Sequence, residues 1–308
     1  MKKWLKITLT ISSIVLVVSG ALVVFLIIPV VGKNTMLHPS RDLEEMSFTP
    51  NELDMTYTNV TIPTSDGLDL KGWYIEPKDL NDPDSNTTLI VLHGATHSKS
   101  FMLDHYGEGF YNVGYRMLFF DSRNRGESPN TDLGLTWGID EVKDIKAAVD
   151  FVKDQSEVND SQVVIFAESQ GAATLLFYAA EYNDVAAIIA DSSWAYGDLM
   201  IKQAYPMRSG FPWVIFGQIT IAMMERHYGF TFADISPAAE AEDITIPTYI
   251  IHGNADLDIN PEDATTIYNA LTNASNRTLW RVDDRGHVEA YLELDYFTNI
   301  AQFITNNI

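Results

Sequence analysis

The stretch Val163-Val164-Ile165-Phe166-Ala167-Glu168-Ser169-Gln170-Gly171-Ala172-Ala173-Thr174-Leu175-Leu176 decides how this chain is read. Its first four residues are a short, continuous apolar run, as in a β-strand buried on both faces. The residues after Gly171 read as a helix. Ser169 stands between, with Ala167 two residues before it and Gly171 two after it. A serine flanked this way at a strand-to-helix turn is the nucleophile-elbow pattern. The turn is so tight that large side chains at those two flanking positions would clash, and the hydroxyl is held out above the sheet. Ala167 stands where glycine is usual, and a methyl is expected to fit.

The same kind of apolar run recurs at residues 89–92, 117–120, 186–190 and 248–251, with a weaker candidate at 278–282. Ahead of them, residues 56–62 alternate as a half-buried strand should. Thr64-Ser65-Asp66-Gly67 is a turn signal, and residues 68–75 return as the second arm of a hairpin. Helical stretches separate the later runs. In residues 139–153, Ile139, Val142, Ile145, Ala148, Val149 and Val152 share one face, with Asp140, Lys143, Asp144 and Lys146 elsewhere. Alternating strands and helices imply an α/β architecture with a mostly parallel, twisted sheet and helices on both faces. Ligands in such sheets sit at the carboxyl ends of the strands. Residues 192–243 are too many for a crossover helix and are crowded with aromatic residues and methionine. They are expected to form a helical cap over those strand ends.

The amino terminus has a different character. Lys2, Lys3 and Lys6 precede residues 7–31, which carry no charge and consist mostly of Ile, Leu and Val. Such a run spans a hydrocarbon core of about 30 Å. No small-x-small cleavage site follows a short apolar region, so an uncleaved transmembrane signal anchor is expected ahead of a cleaved peptide. The lysines place residues 1–6 in the cytoplasm and the remainder on the extracytoplasmic side of the cell membrane. Residues 32–54 read as a polar linker, and residues 55–308 as the globular domain. Removing residues 1–32 is expected to leave that domain soluble and active.

The net charge of −22 excludes nucleic acid as a partner, because phosphates would be repelled. The absence of cysteine excludes disulfides, thiolate metal sites and a Cys nucleophile. No metal-ligand spacing, G-x-G-x-x-G or P-loop occurs, so no metal and no cofactor is expected. Five N-x-S/T triplets, at Asn59, Asn86, Asn159, Asn273 and Asn276, matter only in a glycosylating host. Oligomeric state stays open.

A serine hydroxyl needs a base to become a useful nucleophile, usually a histidine oriented by a carboxylate. His287, in Asp284-Arg285-Gly286-His287, follows the last strand candidate. Asp256, in His252-Gly253-Asn254-Ala255-Asp256, follows the strand at 248–251. The order Ser169, Asp256, His287 is the one expected with a nucleophile elbow. Asp258 and Asp191 remain alternatives for the carboxylate. His93 and His252 are placed as loop braces. His97 and His105 lie near enough to touch substrate, with surface placement as the plainer alternative.

These motifs, with Leu92-His93-Gly94-Ala95-Thr96 and Asp121-Ser122-Arg123-Asn124-Arg125-Gly126-Glu127-Ser128, resemble those of α/β-hydrolase-fold serine hydrolases. The likeness is to the bacterial prolyl-oligopeptidase-like and esterase-like members, and it covers about residues 89–291. Asn124 departs from a common glycine, as Ala167 does. The resemblance implies Ser169 as nucleophile, His287 as general base and then acid, and Asp256 as its carboxylate. It implies an oxyanion hole from the backbone N–H groups of Ala95 and Gln170, and a loop after the fourth strand fixed by Arg123, Asn124 and Arg125. The implied chemistry is acyl transfer to water through an acyl-enzyme. A carboxylic ester with an apolar, small-molecule or lipid-like acyl group leads, a peptidase follows, and a non-catalytic binding protein is the contrasting class.

Overall fold

The computed structural model describes residues 2–39 and 47–308. Met1 of the expected cytoplasmic segment and residues 40–46 of the expected linker lie outside the described residues. One eight-stranded sheet organises the chain, in the order β1-β2-β4-β3-β5-β6-β7-β8. The hairpin β1 (Tyr57–Pro63) and β2 (Asp69–Ile75) enters antiparallel against β4 (Arg116–Asp121). From there β4, β3 (Thr88–Leu92), β5 (Val163–Glu168), β6 (Ala187–Asp191), β7 (Thr248–Gly253) and β8 (Arg277–Val282) run parallel.

The continuous apolar runs have a direct cause. Alternate residues of each strand face opposite sides, and both sides are covered. Ile90, Leu118, Ile165, Ile188 and Ile250 pack with the helices Val142–Lys153, Ser169–Tyr182 and Glu262–Ala270. Their neighbours Leu89, Met117, Phe166, Ile189 and Ile251 pack on the other face, with Tyr106, Phe110 and the helix Tyr296–Asn307.

Two expectations are corrected. The helix drawn over residues 139–153 begins at Val142, and Ile139 is exposed rather than on the buried face. The cause is Glu141, whose carboxylate accepts the N–H groups of Thr136 and Gly138 and the Thr136 hydroxyl, holding the preceding residues as a loop. Asp144, assigned to the polar side of that helix, is fully buried. It accepts three hydrogen bonds from Arg123, one from the backbone and two from the guanidinium, while Asp66 holds the other side of the same guanidinium.

The amino-terminal helix is apolar enough to cross a membrane from Lys6 to Leu37 and is almost wholly uncovered over its first part. It does not stop where the linker was expected. Residues Ile28–Leu37 are helical, with Gly32, Met36 and Leu37 buried. They pack on the cap helices Gly197–Ser209 and Gln218–Tyr228. A Cβ on Gly32 would stand 3.0 Å from the Tyr205 hydroxyl, which is how close the two elements come. The helix end is tied down where the Leu37 carbonyl accepts the Leu135 N–H at 2.9 Å. Within the described residues the domain is therefore docked on the helix instead of standing clear of it, and a cut after residue 32 would uncover apolar cap surface.

Arg123 and Asp144 bind the loop after β4 to the helix beneath it. Asp144→Ala leaves a buried guanidinium held only by Asp66, and a loss of about 3 kcal/mol is expected in urea unfolding of the purified protein. Asp140→Ala, on an exposed pair with Lys143, should cost well under about 1 kcal/mol.

Candidate active site

Ser169 directly follows β5 and opens the helix Ser169–Tyr182. Its φ of 51° is left-handed, a conformation that a side chain other than glycine adopts at a cost. Packing imposes it. A Cβ on Gly171 would lie 2.5 Å from the His93 carbonyl oxygen, and one on Gly94 would lie 3.2 Å from the Ser169 Cβ. Ala167 is fully buried between β3 and β6, where its methyl is accommodated.

The Ser169 Oγ lies 2.8 Å from Nε2 of His287. Nδ1 of His287 lies 2.7 Å from Oδ2 of Asp256. The three residues come from the carboxyl ends of β5 and β7 and from the loop after β8, and the tertiary structure brings them into one chain of hydrogen bonds. The Asp256 Oδ2 also takes a bond from His252 Nε2 at 3.0 Å, and Oδ1 accepts the N–H groups of Asp258 and Ile259. Burial by itself would raise the Asp256 pKa, but its bonds to His252 and His287 hold it well below the usual carboxylate range. For His287, burial works against the imidazolium, and the Asp256 carboxylate outweighs it, leaving the pKa above the ordinary value.

The two alternative carboxylates sit elsewhere. The Asp258 side chain is exposed. Asp191 accepts the hydroxyls of Tyr296 and Ser192, and Ser192 in turn accepts the Val288 N–H. Asp191 thus props the residue beside His287 from below. Burial pushes its pKa up to about 6.

Ala95 follows Gly94 after β3, and Gln170 is the second residue of its helix, so its N–H has no intrahelical partner. Both residues line the same cavity as Ser169 and His287. The Gly94 N–H is already donated to Glu168. His93 is buried, which drives its pKa down to about 4 and keeps it neutral. Its Nδ1–H donates to the Gly94 carbonyl, and its Nε2 accepts the Ser122 N–H, bracing two loops. Asn124 has φ 64°, which explains asparagine at a position where glycine is common, since its short polar side chain tolerates this region.

Glu168 and His97 form a second paired group beside the serine. Glu168, adjacent to Ser169, is fully buried and accepts bonds from Gly94 N–H, the Tyr106 hydroxyl and His97 Nδ1, the last at 2.5 Å. Burial alone would raise its pKa, but His97 and these donors hold it below the usual value. His97 also lines the cavity, stacked on Phe101. His105 continues that stack without lining the cavity. The only sequence signal was an acidic residue ending an otherwise apolar strand.

The cavity has a volume of about 400 Å³. Trp137, Trp194, Met200, Ala204, Met207 and Ile259 give it apolar walls, and Arg208 and Asp258 are its charged members besides the histidines. Among the described residues no group of three or more His, Asp or Glu could hold a metal ion.

A left-handed serine at the end of a parallel central strand, with its partners on the following strand ends, identifies the architecture. The chain has the α/β-hydrolase fold. Residues 83–227 match the family model of S33 serine aminopeptidases. The chain is 26% identical to Bacillus subtilis YqkD over 258 residues, 82% of this chain and 80% of that one. It is 26% identical to Escherichia coli YfhR over 241 residues, 76% and 74% of the two chains. Among solved structures, the Pyrococcus furiosus esterase Pf2001 superposes with a TM-score of 0.71 at 24% identity, covering 88% of this chain and 97% of that one. Pyrococcus horikoshii acylaminoacyl peptidase superposes at 0.61 and 13% identity, over 82% of this chain and 42% of that one. The family match and the likeness to the esterase structure support a hydrolase.

For a base that must be neutral, the raised pKa of His287 has a definite sign. Activity should rise with pH, and the midpoint in kcat/KM should lie above the ordinary imidazole value of 6.5. A stopped-time assay from pH 5 to 9 on a soluble ester measures it.

Proposed function

We propose that the protein is a serine hydrolase that cleaves carboxylic esters through an acyl-enzyme. One observation carries the reading: the unbroken contact from Ser169 Oγ to His287 to Asp256, at 2.8 and 2.7 Å, opening into an apolar cavity. His287 Nε2 takes the serine proton as Oγ attacks the substrate carbonyl. Asp256 holds the tautomer with the proton on Nδ1 and stabilises the imidazolium that forms. The N–H groups of Ala95 and Gln170 face the negative charge that develops on the carbonyl oxygen, where one such donor is worth about 3 kcal/mol. His287 then protonates the leaving alcohol, and water repeats the sequence in reverse.

The apolar walls favour an acyl chain over a peptide. A peptidase reading draws on the S33 family match and uses the same residues. The amino-terminal helix would anchor the enzyme in the cell membrane, with the catalytic domain on the extracytoplasmic side. That orientation rests on Lys2, Lys3 and Lys6 preceding the apolar run.

Ser169→Ala should abolish both ester turnover and labelling by a fluorophosphonate probe while the far-UV spectrum stays unchanged. Asp256→Asn should lower kcat by about 10⁴, and Asp258→Asn far less. Full activity in a folded Ser169→Ala enzyme would refute the nucleophile. The reverse ranking of the two aspartates would move the carboxylate. Turnover of p-nitrophenyl esters of graded length, beside aminopeptidase substrates, separates ester from peptide chemistry.

A further inference from the structure

The cap carries an apolar surface that the fold leaves uncovered. Its two helices are joined through a turn at Trp213–Gly217, where Val214 is 90% exposed and Ile215 51%. Met207 and Ile219, on the two helices that flank this turn, are exposed as well. The patch is continuous with the amino-terminal helix. The helix residues Ile28–Leu37 touch that turn as well as both cap helices, and Val24 and Ile28 pack into the cap's apolar cluster. The Thr220 hydroxyl reaches the Pro29 carbonyl and the Tyr205 hydroxyl.

The depth of this contact follows from helix geometry. No charged residue lies between Lys6 and Lys33. About 20 helical residues cross a hydrocarbon core of about 30 Å. Counted from Lys6, the core ends near residue 26, the level at which Val24 and Ile28 meet the cap. Charge agrees with this placement. Residues 197–228 carry Asp198 and Glu225 against Lys202, Arg208 and Arg226, in a chain with 42 acids and 20 bases. This one segment is not repelled by anionic headgroups.

We propose that the cap lies on the bilayer, with the Trp213–Gly217 turn set into the headgroup–acyl boundary of the leaflet facing the domain. The catalytic cavity then opens beside lipid. Met207 and Arg208, which line it, end the helix that leads into this turn. An acyl ester can pass from the leaflet to Ser169 without crossing water. The proposal rests on the anchor reading above, and its test separates the two.

The chain has no cysteine, so single cysteines can be placed cleanly. Full-length V15C, V214C and L80C are labelled with an environment-sensitive fluorophore in phosphatidylcholine–phosphatidylglycerol vesicles containing doxyl-lipid quenchers. Leu80 is exposed in the loop between β2 and β3, at the amino ends of the parallel strands, whereas the cap follows the carboxyl end of β6. Position 15 should be quenched best by deep doxyl groups, position 214 best by shallow ones, and position 80 by neither. Quenching at 15 without quenching at 214 overturns the proposal and leaves the anchor standing. No quenching at 15 overturns both. A blue shift at 214 that no doxyl lipid quenches means a protein covers the turn, a second copy for instance, and also overturns it. V214D/I215D should lower the ratio of vesicle-ester to soluble-ester turnover about tenfold.

A separate observation bears on the substrate's chemistry. Arg208 makes no hydrogen bond or ion pair among the described residues, and its buried Nη1 has no partner. The guanidinium lies 5.4 Å from the Trp137 ring, in the wall of the same cavity as Ser169. The guanidinium is half-buried, its inner nitrogen is unsatisfied, and its planar fork matches carboxylate and phosphate oxygens. Asp258, exposed on that wall, attracts the guanidinium but makes no hydrogen bond or ion pair with it, which leaves room for an anion of the substrate. The geometry points to an anionic group on the ester substrate, carboxylate or phosphate, held by Arg208. This rests on the ester reading.

The test compares p-nitrophenyl hydrogen suberate with p-nitrophenyl octanoate, and a lysophosphatidate with its monoacylglycerol, in the wild type and R208M. R208M should lower the anionic-to-neutral ratio of kcat/KM by about ten- to a hundredfold, mainly through KM. Loss confined to the suberate pair identifies carboxylate as the group, and loss confined to the lipid pair identifies phosphate. Unchanged ratios in both pairs overturn the assignment. A wild type that turns over neither pair overturns the ester reading with it.

Discussion

The left-handed backbone at Ser169 is the constraint on which the site depends. A strand must become a helix within one residue, and a conformation of this kind costs about 1–3 kcal/mol. It persists because its surroundings allow nothing else. β5 is central in the sheet and buried on both faces, Gly171 is pressed against the His93 carbonyl, and Gly94 against Ser169 itself. The result is a hydroxyl at the amino end of a 14-residue helix, facing a cavity and carried by a fully buried strand and a largely buried helix.

Around it, three buried carboxylates are kept distinct by their donors. Asp256 receives two histidines and two backbone N–H groups, which favour its charged form. Glu168 receives a tyrosine, a histidine and a backbone N–H on the other side of Ser169. Asp191 receives only hydroxyls, and burial lifts its pKa accordingly. The donors hold the Asp256 pKa low, beside His287, while Asp191, with fewer donors, braces the loop that carries that histidine.

The amino-terminal helix and the cap form one apolar unit. Gly32 lets the helix approach Tyr205, and Met36 lies in the same cluster as Trp194 and Met200, two residues of the cavity wall. The substrate cavity and the helix thus share the cap as a common wall. A change in the seating of that helix would be felt by the cavity through closely packed side chains.

Strand runs at β3 through β7 were legible because burial on both faces leaves no room for polar residues, and the elbow was legible because only small residues survive at Ala167 and Gly171. The order Ser169, Asp256, His287 could be read from motifs that each lie just after a strand. What the sequence could not decide was which partners those residues meet. Asp144 looked like a surface residue until Arg123 came to it from another strand end, Glu168 was marked only as an acid ending an apolar strand, and Arg208 carried no local signal at all. The helical residues 32–37 looked like the start of a linker because their buried members are few and spaced, and partners such as Tyr205 lie well over a hundred positions away. Periodicity reports which face of an element is apolar; only the tertiary structure decides what that face, or a lone charge within it, is set against.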